Sequence, residues 1–370
     1  MLSRSALQQR MSAVRRGLAR VEAAAVVFGL STNMRYLTGF SDEPGERMLV
    51  LVVPRDGDPT LIVPELYANQ VRACRPDCTL RVWADGDDPT LIVRDVARDL
   101  EAQTGRVLLD DTLWTAIALP VQQAFPGREV GLASEVMTEL RMRKTPEEVE
   151  CMQRAGEITD RALEDELSRP IAGQTEIALA RRLESAMLDG GASGVAFETL
   201  VAAGPNSALP HYRAGNRRIE PGDVVIMDFG CRVGGYCSDI TRTVVCGEVS
   251  PDESNAYDAV RKAHATAWDR AKRGVPAQEV DRAARSVLAE AGYGEAFCHR
   301  TGHGVGIDVH EPPYIVEGNS TNLEPGMAFS IEPGAYFSGS FGVRLEDVVI
   351  VTEGGAKSMT EAPRELRAVE

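Results

Sequence analysis

A duplicated acidic pattern constrains this chain more than any other feature. Glu220-Pro-Gly222 leads through an apolar run to Asp228, and Glu324-Pro-Gly326 leads through another to Glu332. The two copies lie about 104 residues apart, longer than a solenoid period. In each copy a second strand-like run then opens on a further acid, Asp239 or Glu346, and two helical patterns precede each copy. Two similar α/β halves are implied. Packed about a pseudo-twofold axis, they bring one acid pair from each half to a shared centre.

The runs at 224–229 and 239–245 flank Val233-Gly-Gly235 and read as a β-hairpin. A turn centred on Val233-Gly234 sets Asp228 opposite Asp239; one centred on Gly234-Gly235 makes them diagonal neighbours on the same face. Two adjacent carboxylates on apolar strands repel and are costly to bury, so they call for a proton or a cation between them. A solvent-facing strand side would explain that pair alone. Glu332 and Glu346, however, sit in the runs 327–331 and 343–349, again where strand packing expects Val or Ile.

Four of the five histidines fall beside these strands: His211 in Leu209-Pro-His-Tyr-Arg213, and His299, His303 and His310 in one short run. His264 stands apart in an Ala-rich helical pattern and reads as a packed or surface ring. Carboxylates with one or two imidazoles suit Mn²⁺, Co²⁺ or Zn²⁺ rather than a thiolate site. A pair of such ions can polarise a carbonyl and acidify water.

At 370 residues the chain is long enough for two domains. Strand-like runs at 23–28, 48–53, 60–63 and 107–109 alternate with helical patterns and argue an α/β domain over 1–135. Residues 136–145 read as a linker. Thr145-Pro-Glu-Glu148 is a capping box with Pro in the first turn, so a long helix opens a second domain over 146–370. A net charge of −15 opposes binding to nucleic acid. The apolar stretch 23–30 is too short to span a membrane and reads as neither signal peptide nor anchor. Seven cysteines, an odd number without metal-ligand spacing, read as reduced thiols of a cytoplasmic protein.

Asp228-Phe-Gly230, Ser238-Asp-Ile-Thr-Arg242, His303-Gly-Val-Gly306, Val309-His-Glu-Pro-Pro313, Ser330-Ile-Glu-Pro-Gly334 and Val343-Arg-Leu-Glu-Asp347 together closely resemble the M24-type "pita-bread" metallopeptidases, the group of prolidase, aminopeptidase P and methionine aminopeptidase. The resemblance spans roughly residues 143–365 and implies two divalent metal ions, manganese foremost, with cobalt or zinc as alternatives. Asp228 and Asp239 would bind one ion, His303 and Glu332 the other, and Asp239 and Glu346 would bridge them. Glu332 would also carry the proton to the leaving nitrogen, while His211, His299 and His310 would contact substrate. Arg344 shares a strand face with Glu346 and would orient that carboxylate or meet a peptide carboxylate.

Ser31-Thr-Asn-Met-Arg-Tyr-Leu-Thr-Gly-Phe40 resembles the opening of the creatinase-like amino-terminal domain, which methionine aminopeptidases lack. The resemblance thus implies a homodimeric Xaa-Pro dipeptidase that hydrolyses the imide bond before proline by a metal-bridging hydroxide. Xaa-Pro aminopeptidase, acting on longer peptides, is the alternative. A metal-free creatinase-like hydrolase or a non-catalytic binding relative should have lost ligands, and none is lost here. Arg47, in the loop after Thr38-Gly-Phe40, is a candidate for setting substrate length.

Overall fold

The computed structural model describes residues 4–74, 76–100 and 102–370. The chain divides into two compact units, Met1–Arg141 and Met142–Glu370.

The first unit is built on a six-stranded mixed sheet in the order Thr79–Trp83, Thr60–Pro64, Val50–Pro54, Ala23–Phe28, Arg106–Leu109, Val130–Leu132. Ala23–Phe28 is buried along its whole length, as expected for a central strand covered on both faces. The helix Arg4–Arg20 turns Leu7, Met11, Val14 and Leu18, a period of three to four residues, into the core. Of the expected linker 136–145, residues 136–141 continue the helix Ser134–Met142 within the first unit. Val136 and Met137 are buried there, which ties that stretch to the first unit.

In the second unit the duplication becomes architecture. One long sheet runs Glu311–Ile315, Gly302–Gly304, Ala328–Ile331, Glu346–Thr352, Ile240–Cys246, Val224–Phe229, Leu200–Ala203. Around the central pair, Glu346–Thr352 and Ile240–Cys246, the halves correspond strand by strand: in each, the strand beginning at or just after the second acid is innermost, then the strand ending near the first acid, then a short outer strand, beyond which the second half adds Glu311–Ile315. Each half also has its own pair of helices and its own core. Pro146–Leu167 and Glu176–Asp189 pack Ile158, Leu163 and Leu183 onto Met227, Phe229 and Val244. Pro251–Arg270 and Ala277–Glu290 pack Tyr257, Val260 and Leu288 onto Phe329, Ile331 and Val349. The leading helix of each pair starts on a complete capping box, Thr145 with Glu148 and Ser250 with Glu253.

The hairpin takes the second of the two registers. Thr241 pairs with Asp228 and Ile240 with Phe229, so Asp228 and Asp239 are diagonal neighbours. Gly234 and Gly235 both adopt positive φ, +60° and +96°, as a tight turn of this kind requires. The hairpin is not one continuous ribbon. It breaks at Gly230 and at Ser238-Asp239, and its tip, Cys231–Val233 with Tyr236–Cys237, leaves the long sheet to pair with Gly194–Val195. A β-carbon on Gly230 would overlap the Ser238 carbonyl, so the chains can approach at the break only with glycine there.

Candidate metal centre and substrate cavity

All the acids of the duplicated pattern lie at strand ends. Asp228 is near the end of Val224–Phe229, Glu332 follows Ala328–Ile331, Asp239 immediately precedes Ile240–Cys246, and Glu346 opens its own strand. Because the innermost strands of the two halves are neighbours, with Thr241 opposite Glu346, these ends meet.

Asp239, His303 and Glu346 are buried, and each offers one ligand atom within 4.8 Å of the other two. Glu332 closes on the same imidazole: His303 Nε2 lies 3.3 Å from Glu332 Oε1 and 3.8 Å from Asp239 Oδ2. His303 Nδ1 lies 3.2 Å from Gly304 O, a carbonyl that can only accept, so the proton sits on Nδ1 and the Nε2 lone pair faces the acids. Burial and then the neighbouring His310 push the His303 ring down to about 3, which keeps it neutral. Asp228 joins through Arg344, whose Nη2 donates to Oδ2 at 2.6 Å, while Asp228 Oδ1 is buried with no hydrogen-bond partner among the described residues.

Four carboxylates in one buried place are not neutralised by a single arginine. Burial and then mutual repulsion hold Asp239 and Glu346 well above the usual carboxylate range. Burial likewise pushes Glu332 up to about 7 despite the charge of Arg344. An unpartnered carboxylate oxygen, a lone pair on a neutral imidazole and a surplus of negative charge fit divalent cations with oxygen and imidazole donors.

Arg344 is only 3% exposed and orients the centre from behind. Its direct ion pair is with Asp228, not with Glu346 as the strand-face argument suggested. It reaches Glu346 through Thr241: Nε donates to Thr241 Oγ1 at 3.1 Å, and that hydroxyl donates to Glu346 Oε2 at 2.6 Å. The two-residue spacing misleads here because Leu345 separates two strands, Phe341–Arg344 and Glu346–Thr352, which belong to different sheets.

These groups form the floor of a cavity of about 640 Å³ whose walls include all three remaining motif histidines. His211, on the loop after Pro210, and His310 have no hydrogen-bond partner among the described residues and keep ring nitrogens for a ligand. His299 does not. Its Nδ1 meets Arg300 O at 2.8 Å and its Nε2 meets Tyr336 OH at 2.8 Å. Tyr336 OH also accepts from Arg344 Nη1 at 3.0 Å, so the hydroxyl proton points at His299. His299 lines the cavity, and its ring starts a chain that leads through Tyr336 and Arg344 to Asp228.

Three cations line the cavity: Arg213, Arg300 and Arg344. Arg344 is committed to the floor, and Arg213 lies 3.5 Å from Glu198 at the exposed rim. Arg300 stacks over the Tyr314 ring at 4.6 Å and pairs with no carboxylate among the described residues. Arg47, in the first unit, is occupied by Asp85, both of whose oxygens it meets at 2.9 Å, and by Glu46. Sequence reasoning missed Tyr336 and Arg300. Arg300 adjoins His299 and was available as a signal; nothing in the sequence marked Tyr336.

The model of metallopeptidase family M24 matches residues 150–353, and that of the creatinase/prolidase N-terminal domain matches residues 10–143. The chain is 41% identical over 350 residues to a probable dipeptidase PepE of Mycobacterium tuberculosis, covering 94% of this chain and 92% of that protein. It is 36% identical over 340 residues to an Xaa-Pro dipeptidase of Lactobacillus helveticus, covering 91% and 92%. A recombinant prolidase from Thermococcus sibiricus superposes with a TM-score of 0.95 at 37% identity, over the whole of both chains.

Proposed function

The chain belongs to metallopeptidase family M24 and carries the creatinase/prolidase N-terminal domain, and from that premise we propose that it is an Xaa-Pro dipeptidase. The observation that carries this reading is the convergence of Asp228, Asp239, His303, Glu332 and Glu346 under a cavity that also holds one uncommitted arginine. Relatives named dipeptidase and Xaa-Pro dipeptidase, aligned over nine-tenths of the chain, support it.

Asp228 and Asp239 would hold one divalent ion, His303 and Glu332 a second, with Asp239 and Glu346 shared between them. Bound there, such ions supply a Lewis acid for the scissile carbonyl and lower the pKa of water. We propose manganese, because four carboxylates and one imidazole make a predominantly hard donor set. Glu332 holds a proton at its carboxyl group and delivers it to the imide nitrogen as the bond breaks. His211 and His310 donate to the substrate's carbonyl and carboxylate oxygens, and Phe197, Leu200 and Val309 offer apolar wall to the proline ring. Arg344, fixed by Tyr336 and His299, keeps Asp228 oriented.

Arg300 is assigned to the carboxylate of the dipeptide. A charge-assisted bond of this kind contributes about 1.5–3 kcal/mol, or roughly 10- to 150-fold in affinity. It is lost when the chain continues beyond proline, which favours a dipeptidase over an aminopeptidase. Seven free thiols suit a reducing compartment and support a cytoplasmic setting. No helix among the described residues is long and apolar enough to cross a membrane. A homodimer is part of the same proposal, to be read by light scattering.

The test compares Xaa-Pro, Xaa-Pro-amide and Xaa-Pro-Yaa as substrates for wild type and Arg300→Gln. Wild type should prefer the dipeptide, and the variant should lose that preference through KM. Equal rates on dipeptide and tripeptide by wild type would make the protein an aminopeptidase instead.

A further inference from the structure

We propose that Glu176 is a positioning residue for His211; the inference rests on the reading of His211 as a substrate contact. Glu176 is the first residue of the helix Glu176–Asp189 and is fully buried, with Thr175 capping the helix. Its carboxylate does not merely serve that helix. Oε1 accepts from Ala203 N and from Asn206 Nδ2, both at 2.9 Å. Oε2 accepts from Tyr212 OH at 2.8 Å and from Gly215 N at 3.2 Å.

The donors lie on both sides of His211. Ala203 and Asn206 precede it, Tyr212 and Gly215 follow it, and Asn206 Nδ2 also reaches Tyr212 OH at 2.9 Å to tie the two sides together. The helix start adds two backbone bonds to the returning limb, Glu176 N to Arg217 O and Ile177 N to Gly215 O, each 3.0 Å. On the cavity side, Pro210 O accepts from Arg344 Nη1 at 3.3 Å. His211 itself is exposed and has no hydrogen-bond partner among the described residues, so its place on the cavity wall is inherited from its tethered neighbours.

All four donors are neutral and converge on one carboxyl group, two on each oxygen, so both oxygens act as acceptors. A glutamine of the same size turns an NH₂ group toward two of those donors. The loop must then give way on one side of His211.

The test has two readouts. The first is amide hydrogen exchange of the metal-free protein. Glu176→Gln should raise exchange at residues 203–215 by about tenfold or more, as for a loop that loses its buried anchor, while the helix Pro251–Arg270 is unchanged. No local rise, or a rise spread evenly over the unit, overturns the proposal. The second is kcat/KM on an Xaa-Pro dipeptide in a cycle with His211→Ala. Glu176→Gln should cost about 10- to 100-fold when His211 is present and less than about threefold when it is absent. Equal losses in both backgrounds assign Glu176 a general structural role and overturn the proposal.

Tyr212→Phe removes a single donor and tests the same cycle should Glu176→Gln not fold, with a loss of about three- to tenfold that again disappears with His211. Wild type inactive on every Xaa-Pro dipeptide would overturn the dipeptidase reading instead, and hydrogen exchange then decides the role of Glu176 in ordering the loop.

Discussion

Replacing Arg344 with lysine separates the charge of this side chain from its shape. The guanidinium meets four acceptors in four directions: Asp228 Oδ2 at 2.6 Å, Tyr336 OH at 3.0 Å, Thr241 Oγ1 at 3.1 Å and Pro210 O at 3.3 Å. An ammonium group on a flexible stem retains the charge beside Asp228 but cannot reproduce the planar fork, so at least two of these contacts are lost. At roughly 1.5 kcal/mol for each bond made by a charged donor, the loss is about 3 kcal/mol. If it falls on the transition state, kcat/KM drops by about 150-fold. Because a cation remains beside Asp228, Arg344→Lys should still fold, with a melting temperature lowered by the lost hydrogen bonds but well above the assay temperature. Dipeptide hydrolysis by the reconstituted enzyme, with calorimetry and metal analysis as controls, checks this. A change under about fivefold in kcat/KM with normal metal content would refute the orienting role.

Other outcomes follow from particular buried groups. Lys144 and Glu311 form an ion pair at 2.7 Å with side chains 1% and 4% exposed, so Lys144→Met should lower stability to urea by about 3–5 kcal/mol. Adding Glu311→Leu should recover most of that loss, and failure to recover any would show that the charge left behind is not the cause. Asp347 is fully buried, yet Arg242 and His264 overrule the effect of burial and, with Arg364, hold its carboxyl far below the usual range. A depressed folded pKa contributes stability that is present above the unfolded value, about 4, and lost as pH falls; Asp347→Asn should therefore flatten the acid limb of the stability profile. Asp239 and Glu346 are shifted the other way. In chelator-treated protein their contribution is fully present below about pH 4 and declines as pH rises, so stripping metal should lower the melting temperature more at pH 8 than at pH 5.

The duplicated unit was legible because its signal is positional: an acid recurring at the same offset in two apolar strands has few explanations besides a shared site. Asp228, Asp239, Glu332 and Glu346 were found that way, and the strand-by-strand correspondence of the two halves about the central pair is the same duplication in three dimensions. The register of the first hairpin was open because either glycine-containing turn places both acids on one face. Thr79–Trp83 and Val130–Leu132 escaped notice because they are the two edge strands of their sheet and bury little apolar surface.

What lay beyond reach were partners assembled across long separations. Glu176 looks like an ordinary acidic first residue of a helix, and its four donors come from 27 to 39 residues later. Lys144 and Glu311 are 167 residues apart. Tyr336 sits in a short hairpin strand where an aromatic side chain is unremarkable, and only the fold brings its hydroxyl between His299 and Arg344. His264, read as an isolated ring, lies 3.1 Å from Asp347, the residue next to Glu346, a proximity that no local pattern encodes.

The central claim is that the acid cluster works as a metal-dependent dipeptidase centre. Proline release from an Xaa-Pro dipeptide, followed on chelator-stripped protein before and after Mn²⁺ is restored, tests it most directly. No proline should appear before the metal is added, and steady release should follow its addition. Release that is indifferent to the metal, or no release with Mn²⁺, Co²⁺ or Zn²⁺, would contradict it.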